Sequence, residues 1–199
     1  MPIYMAAADS LSSLSTPSIY AELRAGGDGD PYGAAEYDVG GAGCEMTEGR
    51  TTWDDDLSDG FDSGNVTVGL QARADGEATV AVADSTSGDV SASGGSIGNV
   101  GQVVVRLGVQ GAQMQVRWNN LTVNFYRNGV LRESLSLAAP AQVTGTDQAP
   151  VREELLTFVP SDTDDDEVVV TGAVRLTSSE PDLQPDPNQI FSQILVYAG

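Results

Sequence analysis

Residues 113–137 read QMQVRWNNLTVNFYRNGVLRESLSL, and their pattern decides the fold class. Met114, Val116 and Trp118 alternate with polar residues, and so do Leu121, Val123 and Phe125. A period of two is the signature of a strand, whose successive side chains point to opposite faces, whereas a helix would repeat every 3.6 residues. The stretch therefore predicts strands over 113–118, 121–127 and 130–137. The last two flank Asn128-Gly129, the strongest short-range hairpin signal in the chain. A two-residue turn would pair Arg127 with Val130 and set Phe125 opposite Arg132. A three-residue loop with Gly129 in the left-handed region would pair Phe125 with Leu131 and Leu121 with Leu135. The second register gathers the apolar side chains on one face, so a type I turn with a glycine bulge is expected.

The same period extends in both directions. Ile19, Ala21 and Leu23 alternate in 17–24; Val66, Val68 and Leu70 alternate in 65–73; a turn at 74–76 leads to Ala78, Val80 and Val82. Strands over 102–109, 152–159, 168–177 and 189–198 bring the total to about ten. A short helix is expected over 6–15. Residues 25–64, with ten glycines among acids and aromatics, and the Ser/Gly-rich 85–101 are expected to be loops. The expectation is one domain over 1–199: an all-β, two-sheet antiparallel sandwich of the single jelly-roll type with long acidic loops.

Composition narrows the function. The 199 residues carry 29 acids against nine bases, a net charge of -20; every base is Arg, and His and Lys are absent. Nucleophilic sites built on His, Schiff-base lysines and the Walker lysine are therefore excluded. A nucleic-acid partner is not expected, because phosphate binding needs a basic face. The acids are unevenly spread: 25–62 hold eleven with one Arg, 161–199 hold eight with one Arg, and 101–160 hold four with five Arg. Acid excess of this kind is tolerated where concentrated salt screens self-repulsion, so a high-salt setting is expected. The longest apolar run falls far short of the ~20 residues that cross a bilayer as a helix. The first nine residues lack the basic start of a signal peptide.

Candidate sites are few. Asp162, Asp164 and Asp166 occupy the first, third and fifth places of a calcium-loop pattern, but Glu167 stands where its glycine belongs and Ala173 where its closing glutamate belongs. A solvated acidic turn is the favoured reading of 161–167, with a cation loop on those three aspartates as the alternative. Trp53, in a polar loop, is the one plausible sugar platform, whereas Trp118 reads as core. Asn65-Val66-Thr67 and Asn120-Leu121-Thr122 fit the short glycosylation pattern. Cys44 has no basic neighbour in sequence to activate it. No catalytic residue and no cofactor are expected, and an enzyme is not the reading. The last strand is apolar on both faces: Phe191, Leu195 and Tyr197 form the second face and are the candidate assembly residues, unless the chain itself covers them.

In size, in lysine-free acidic composition and in its expected single β-sandwich, the chain resembles the small single-jelly-roll capsid proteins of halophilic archaeal viruses with an internal membrane. The resemblance covers the whole chain and implies a capsid subunit that self-assembles with other virion subunits through sheet edges and termini, in a shell around a membrane. Two other roles fit the same residues. One is a viral tail-tube or decoration protein. The other is a cell-surface or carbohydrate-binding sandwich.

Overall fold

The computed structural model describes residues 3–5, 17–25, 34–40, 47–52, 61–63, 65–82, 90–92, 98–179 and 190–199. Among them the chain forms strands and no helix. The strands are β1 (Ile3–Met5), β2 (Ile19–Ala25), β3 (Ala34–Gly40), β4 (Thr47–Thr52), β5 (Phe61–Asp62), β6 (Val66–Arg73), β7 (Ala78–Val82) and β8 (Val90–Ala92). They continue with β9 (Val100–Gln110), β10 (Met114–Arg127), β11 (Val130–Ser136), β12 (Ala141–Thr144), β13 (Val151–Phe158), β14 (Glu167–Ser178) and β15 (Ile190–Ala198). One sheet has the order β1-β13-β9-β15-β2-β3-β4 and the other β11-β10-β14-β6-β7-β8, with β12 paired to β10 and β5 to β14. Every pairing is antiparallel. The all-β antiparallel sandwich expected from the sequence is what the chain forms.

The two strands read at 113–118 and 121–127 are one continuous 14-residue strand, β10. Met114, Val116 and Trp118 face the core at even positions; Leu121, Val123 and Phe125 face it at odd ones. A regular strand cannot do both, because a one-residue offset turns every later side chain to the opposite face. A bulge resolves the conflict. Against β14, Asn119 lies opposite Ala173 and Thr122 opposite Thr171, so Asn120 and Leu121 together face Gly172. Asn120 takes φ 54°, a left-handed conformation that asparagine tolerates better than most side chains. Gly172 leaves the hollow that the Trp118 ring fills: a Cβ there would lie 2.8 Å from Cε3 and Cζ3.

The Asn-Gly hairpin corrects the expected register. Asn128 (φ 51°) and Gly129 (φ 72°) are both left-handed, which makes a two-residue type I′ turn with Arg127 opposite Val130. The offset that the apolar residues require comes one step later. Tyr126 pairs with Leu131 but Phe125 with Glu133, leaving Arg132 as the extra residue. Val123 then meets Leu135, which packs against the core, while Leu131 stays 52% exposed. The turn is held from outside the hairpin, because the Asn128 N–H donates to both Asp166 carboxylate oxygens at 3.0 and 2.9 Å.

Eight of the fifteen strands, taken without β1, β3, β4, β5, β7, β8 and β12, pass back and forth between the two sheets. From β2 the chain crosses to β6, returns to β9, crosses to the β10–β11 hairpin, and then visits β13, β14 and β15 in turn. Side by side they read β13-β9-β15-β2 in one sheet and β11-β10-β14-β6 in the other. β15, the last strand, thus fills a central slot between β9 and β2. Between the sheets lies one core in which Trp118, Phe125 and Phe158 are each under 2% exposed. Burying side chains of this size contributes about 1.5–3 kcal/mol each. The Trp118 indole N–H crosses that core to donate to Ser192 Oγ of β15 at 2.6 Å, satisfying both polar groups in a dry interior.

Two expected loops contain strands. The 25–64 stretch holds β3, β4 and β5, and 85–101 holds β8 and the start of β9. β3 carries a short alternation, Ala35, Tyr37 and Val39 against Glu36 and Asp38, that is brief within a Gly-rich stretch, whereas β4 carries none and extends the sheet by backbone pairing, which any non-proline residue can supply. The helix expected over 6–15 lies outside the described residues.

The Trp118–Gly172 fit predicts a contrast between two glycines of neighbouring strands. Gly172→Ala forces a methyl group against the indole and lowers stability by about 1–3 kcal/mol in urea unfolding. Gly69→Ala, with nothing within 4 Å of its added carbon, leaves the midpoint unchanged or slightly raised. Equal effects at the two sites would contradict the packing described.

Candidate functional site

The acidic stretch 161–167 lies at one end of the sandwich, where it ties together turns from both sheets. The Asp165 carbonyl accepts from the Val100 N–H at 2.8 Å, and the Asp166 carbonyl from the Ala74 N–H at 2.8 Å. The Asp166 N–H donates to the Tyr126 carbonyl at 2.9 Å. Ser161 donates through its N–H (2.7 Å) and hydroxyl (3.0 Å) to the Glu133 carboxylate. The Gln71 side-chain amide donates to Glu167. The stretch read as a solvated turn is therefore a clamp over the β6–β7 turn, the start of β9 and the β10–β11 hairpin.

That clamp disperses the three candidate cation ligands. Asp162 Oδ1 accepts from the Asp164 N–H at 3.2 Å, a local turn contact. The Asp164 carboxylate pairs with Arg127 at 3.2 Å, both groups about half exposed. Asp166 caps the Asn-Gly turn. Among the described residues, no three His, Cys, Asp or Glu side chains gather as metal ligands.

The unusual group is the one between them. Asp165 is 1% exposed, and neither of its carboxylate oxygens has a hydrogen-bond partner. Burial raises its pKa above the ordinary carboxylate range. Asp162 and Glu133 push it further up, while Arg132 and Arg127 pull it down. Nothing in the run of acids marks this position, because its burial arises only when the loop folds over the sandwich end.

Phe191, Leu195 and Tyr197 lie on the outer face of the first sheet and are 4%, 8% and 5% exposed. Leu195 and Tyr197 join Val104, Leu155 and Tyr20 in a second apolar cluster, separate from the main core. Burial raises the pKa of the Tyr197 phenol, against a smaller opposite pull from Arg106. Phe191 packs under Arg106, whose guanidinium carbon sits 4.8 Å from the ring centroid, and Gly108 leaves room for that ring. Arg106 also pairs with Glu153 at 3.2 and 2.5 Å and donates to Gln193 Oε1 at 2.9 Å, stitching β13, β9 and β15 together. Of the two alternatives for this face, the structure shows the covered one, so a partner does not find these three side chains open.

The other sequence candidates separate in the same way. Trp118 is core and offers no sugar platform; Trp53 and Cys44 lie outside the described residues. Asn65 and Asn120 are exposed, and Asn65 Oδ1 accepts from the Asn119 side-chain amide at 3.1 Å. Beside Trp118 lies a void of about 10 Å³ lined by apolar residues such as Val68, Val80 and Ile194, room for one water at most. No described helix is long and apolar enough to cross a membrane.

Asp165 gives a prediction with a definite sign. Its folded pKa is raised, so its stabilising contribution is present at pH below its unfolded value and is lost as pH rises through the folded one. Asp165→Asn removes the buried charge and should raise stability at pH 7 by about 1 kcal/mol, the gain vanishing in acid where the wild-type carboxyl is protonated. Unfolding curves of the two proteins from pH 3 to 8 measure this. A gain that grows in acid would overturn the assignment.

No protein-family model matches this chain, and a search of curated proteins finds no significant match.

Proposed function

We propose that the chain is a structural subunit of a virus capsid, built as a single jelly roll and adapted to concentrated salt. The observation that carries this is the strand order. Taken without the additional strands β1, β3, β4, β5, β7, β8 and β12, the blocks β13-β9-β15-β2 and β11-β10-β14-β6 support a double-Greek-key reading, the jelly-roll architecture used in viral capsids. Lectins use it too, and a glycan-binding role would rest on Trp53, which lies outside the described residues. The acid-rich, lysine-free composition supports a setting in which salt screens repulsion between subunits of charge -20.

The test is the assembly state of the purified protein by light scattering and electron microscopy. At about 1 M salt the Debye length is ~3 Å, and at 0.01 M it is ~30 Å. Large closed particles or capsomers at high salt that dissociate on dilution are the expected outcome. A 20.7 kDa monomer in both buffers would overturn the proposal, and regular tubes would transfer it to a tail-tube protein.

A further inference from the structure

One side of the sandwich gathers the exposed large apolar residues that are described, carries little net charge and ends in an open strand edge. Residues 128–152 run along it: the turn into β11, β11 itself, the connection to β12, and the turn into β13. Eighteen of these residues are exposed, and the stretch holds Arg132 and Arg152 against Glu133 and Asp147, a net charge of zero on a protein of -20. No described acid forms an ion pair with either arginine. The four large apolar residues exposed among the described residues are Val130 (59%), Leu131 (52%), Val151 (64%) and Val159 (48%). Three lie within 128–152, and Val159 follows the end of β13.

The backbone there is open as well. Among the described residues β11 pairs only with β10, and β1 covers β13 only at 155–157, leaving 151–154 without a neighbour on that side. Long exposed edges invite strand addition, and proteins usually defend them with lysine, proline or a bulge. Here the defences are the bulge at Arg132 and the prolines of the connections, Pro140 and Pro150; Glu133–Ser136 carries none. On the opposite side the first sheet ends in β3 and β4, which carry Glu36, Asp38 and Glu48 against the single Arg50.

From this asymmetry we infer that the β11–β12–β13 edge is where a second copy of this chain docks, edge against edge. Two subunits of charge -20 repel through most of their surfaces. Meeting along the near-neutral edges keeps the acidic β3–β4 sides farthest apart, buries the exposed valines and leucine, and offers each unpaired strand a partner. The inference rests on the self-assembling reading above and names the surface that reading leaves open.

The experiment compares the wild type with Leu131→Glu, Val151→Glu and Arg132→Glu on this edge, and with Thr67→Glu on the exposed outer face of β6 as the control. Association is followed by light scattering against protein concentration at about 1 M NaCl, with circular dichroism and melting to verify folding. The four sites are surface positions, and Val151 and Leu131 lie at opposite ends of the edge, so one unfolded variant leaves the others to decide. The expected result is a half-association concentration raised about tenfold or more by the edge substitutions and within about twofold of wild type for the control. Edge variants that associate like the wild type, or a control weakened as much as they are, would overturn the docking surface while leaving the assembly proposal standing. A wild type monomeric at every salt concentration would overturn both.

Discussion

The sandwich depends on a single constraint at β10: one strand must present Met114, Val116 and Trp118 to the core and, seven residues on from each, Leu121, Val123 and Phe125 to the same core. The bulge at Asn120 meets it, and the Trp118–Gly172 fit fixes where the bulge sits. Because β10 pairs with β14 along its length and with β11 and β12 on its other side, a slip there would displace most of the second sheet. Trp118 then connects that sheet to the first through Ser192 of β15. Side-chain volume, backbone register and a buried hydrogen bond converge on one residue.

Charge is organised around this frame rather than within it. The interior between the sheets is apolar, and the carboxylates near its margins are mostly engaged: Glu153 with Arg106, Asp62 with Arg175, Glu133 with Ser161, Asp166 with the Asn-Gly turn. Asp165 departs from that rule, because its backbone carbonyl is needed to hold Val100 while its side chain has nowhere wet to go. A buried unpaired carboxylate costs stability when ionised, so the end of the sandwich that the clamp closes loses stability as pH rises through the folded pKa of Asp165. The exposed pairs, Arg127 with Asp164 and Arg73 with Glu77, contribute little by comparison.

The two outer faces of the sandwich differ in kind. Along the central strands of the second sheet, polar residues such as Asn124, Thr171 and Thr67 alternate with the core residues and meet solvent. The first sheet carries a second apolar cluster on its outside together with the Arg106–Phe191 contact. A strand apolar on both sides fits the second situation, since β15 runs between β9 and β2 with packing above and below it. Sequence reasoning recognised the double-sided character of Phe191, Leu195 and Tyr197 but had no means to tell a partner's cover from the chain's own.

The sequence by itself determined the class of structure. Period-two alternation in 17–24, 65–73, 102–109, 168–177 and 189–198 reappears as β2, β6, β9, β14 and β15, because a half-buried strand has to write its burial into every second residue. The Asn-Gly signal marked the hairpin, because few other pairs take two left-handed conformations in succession. Tertiary structure alone decided what alternation does not encode. β4, whose residues do not alternate, extends a sheet through backbone pairing that any side chain allows. The parity break at Asn119–Asn120 looked like a boundary between strands and became a bulge within one, since the choice depends on whether a partner offers a glycine at the facing position. Asp162, Asp164 and Asp166, adjacent in sequence, were sent to different partners by the turns they clamp, and Asp165 was buried among them. Local pattern fixes which face a residue shows; only the packed neighbours fix what that face meets.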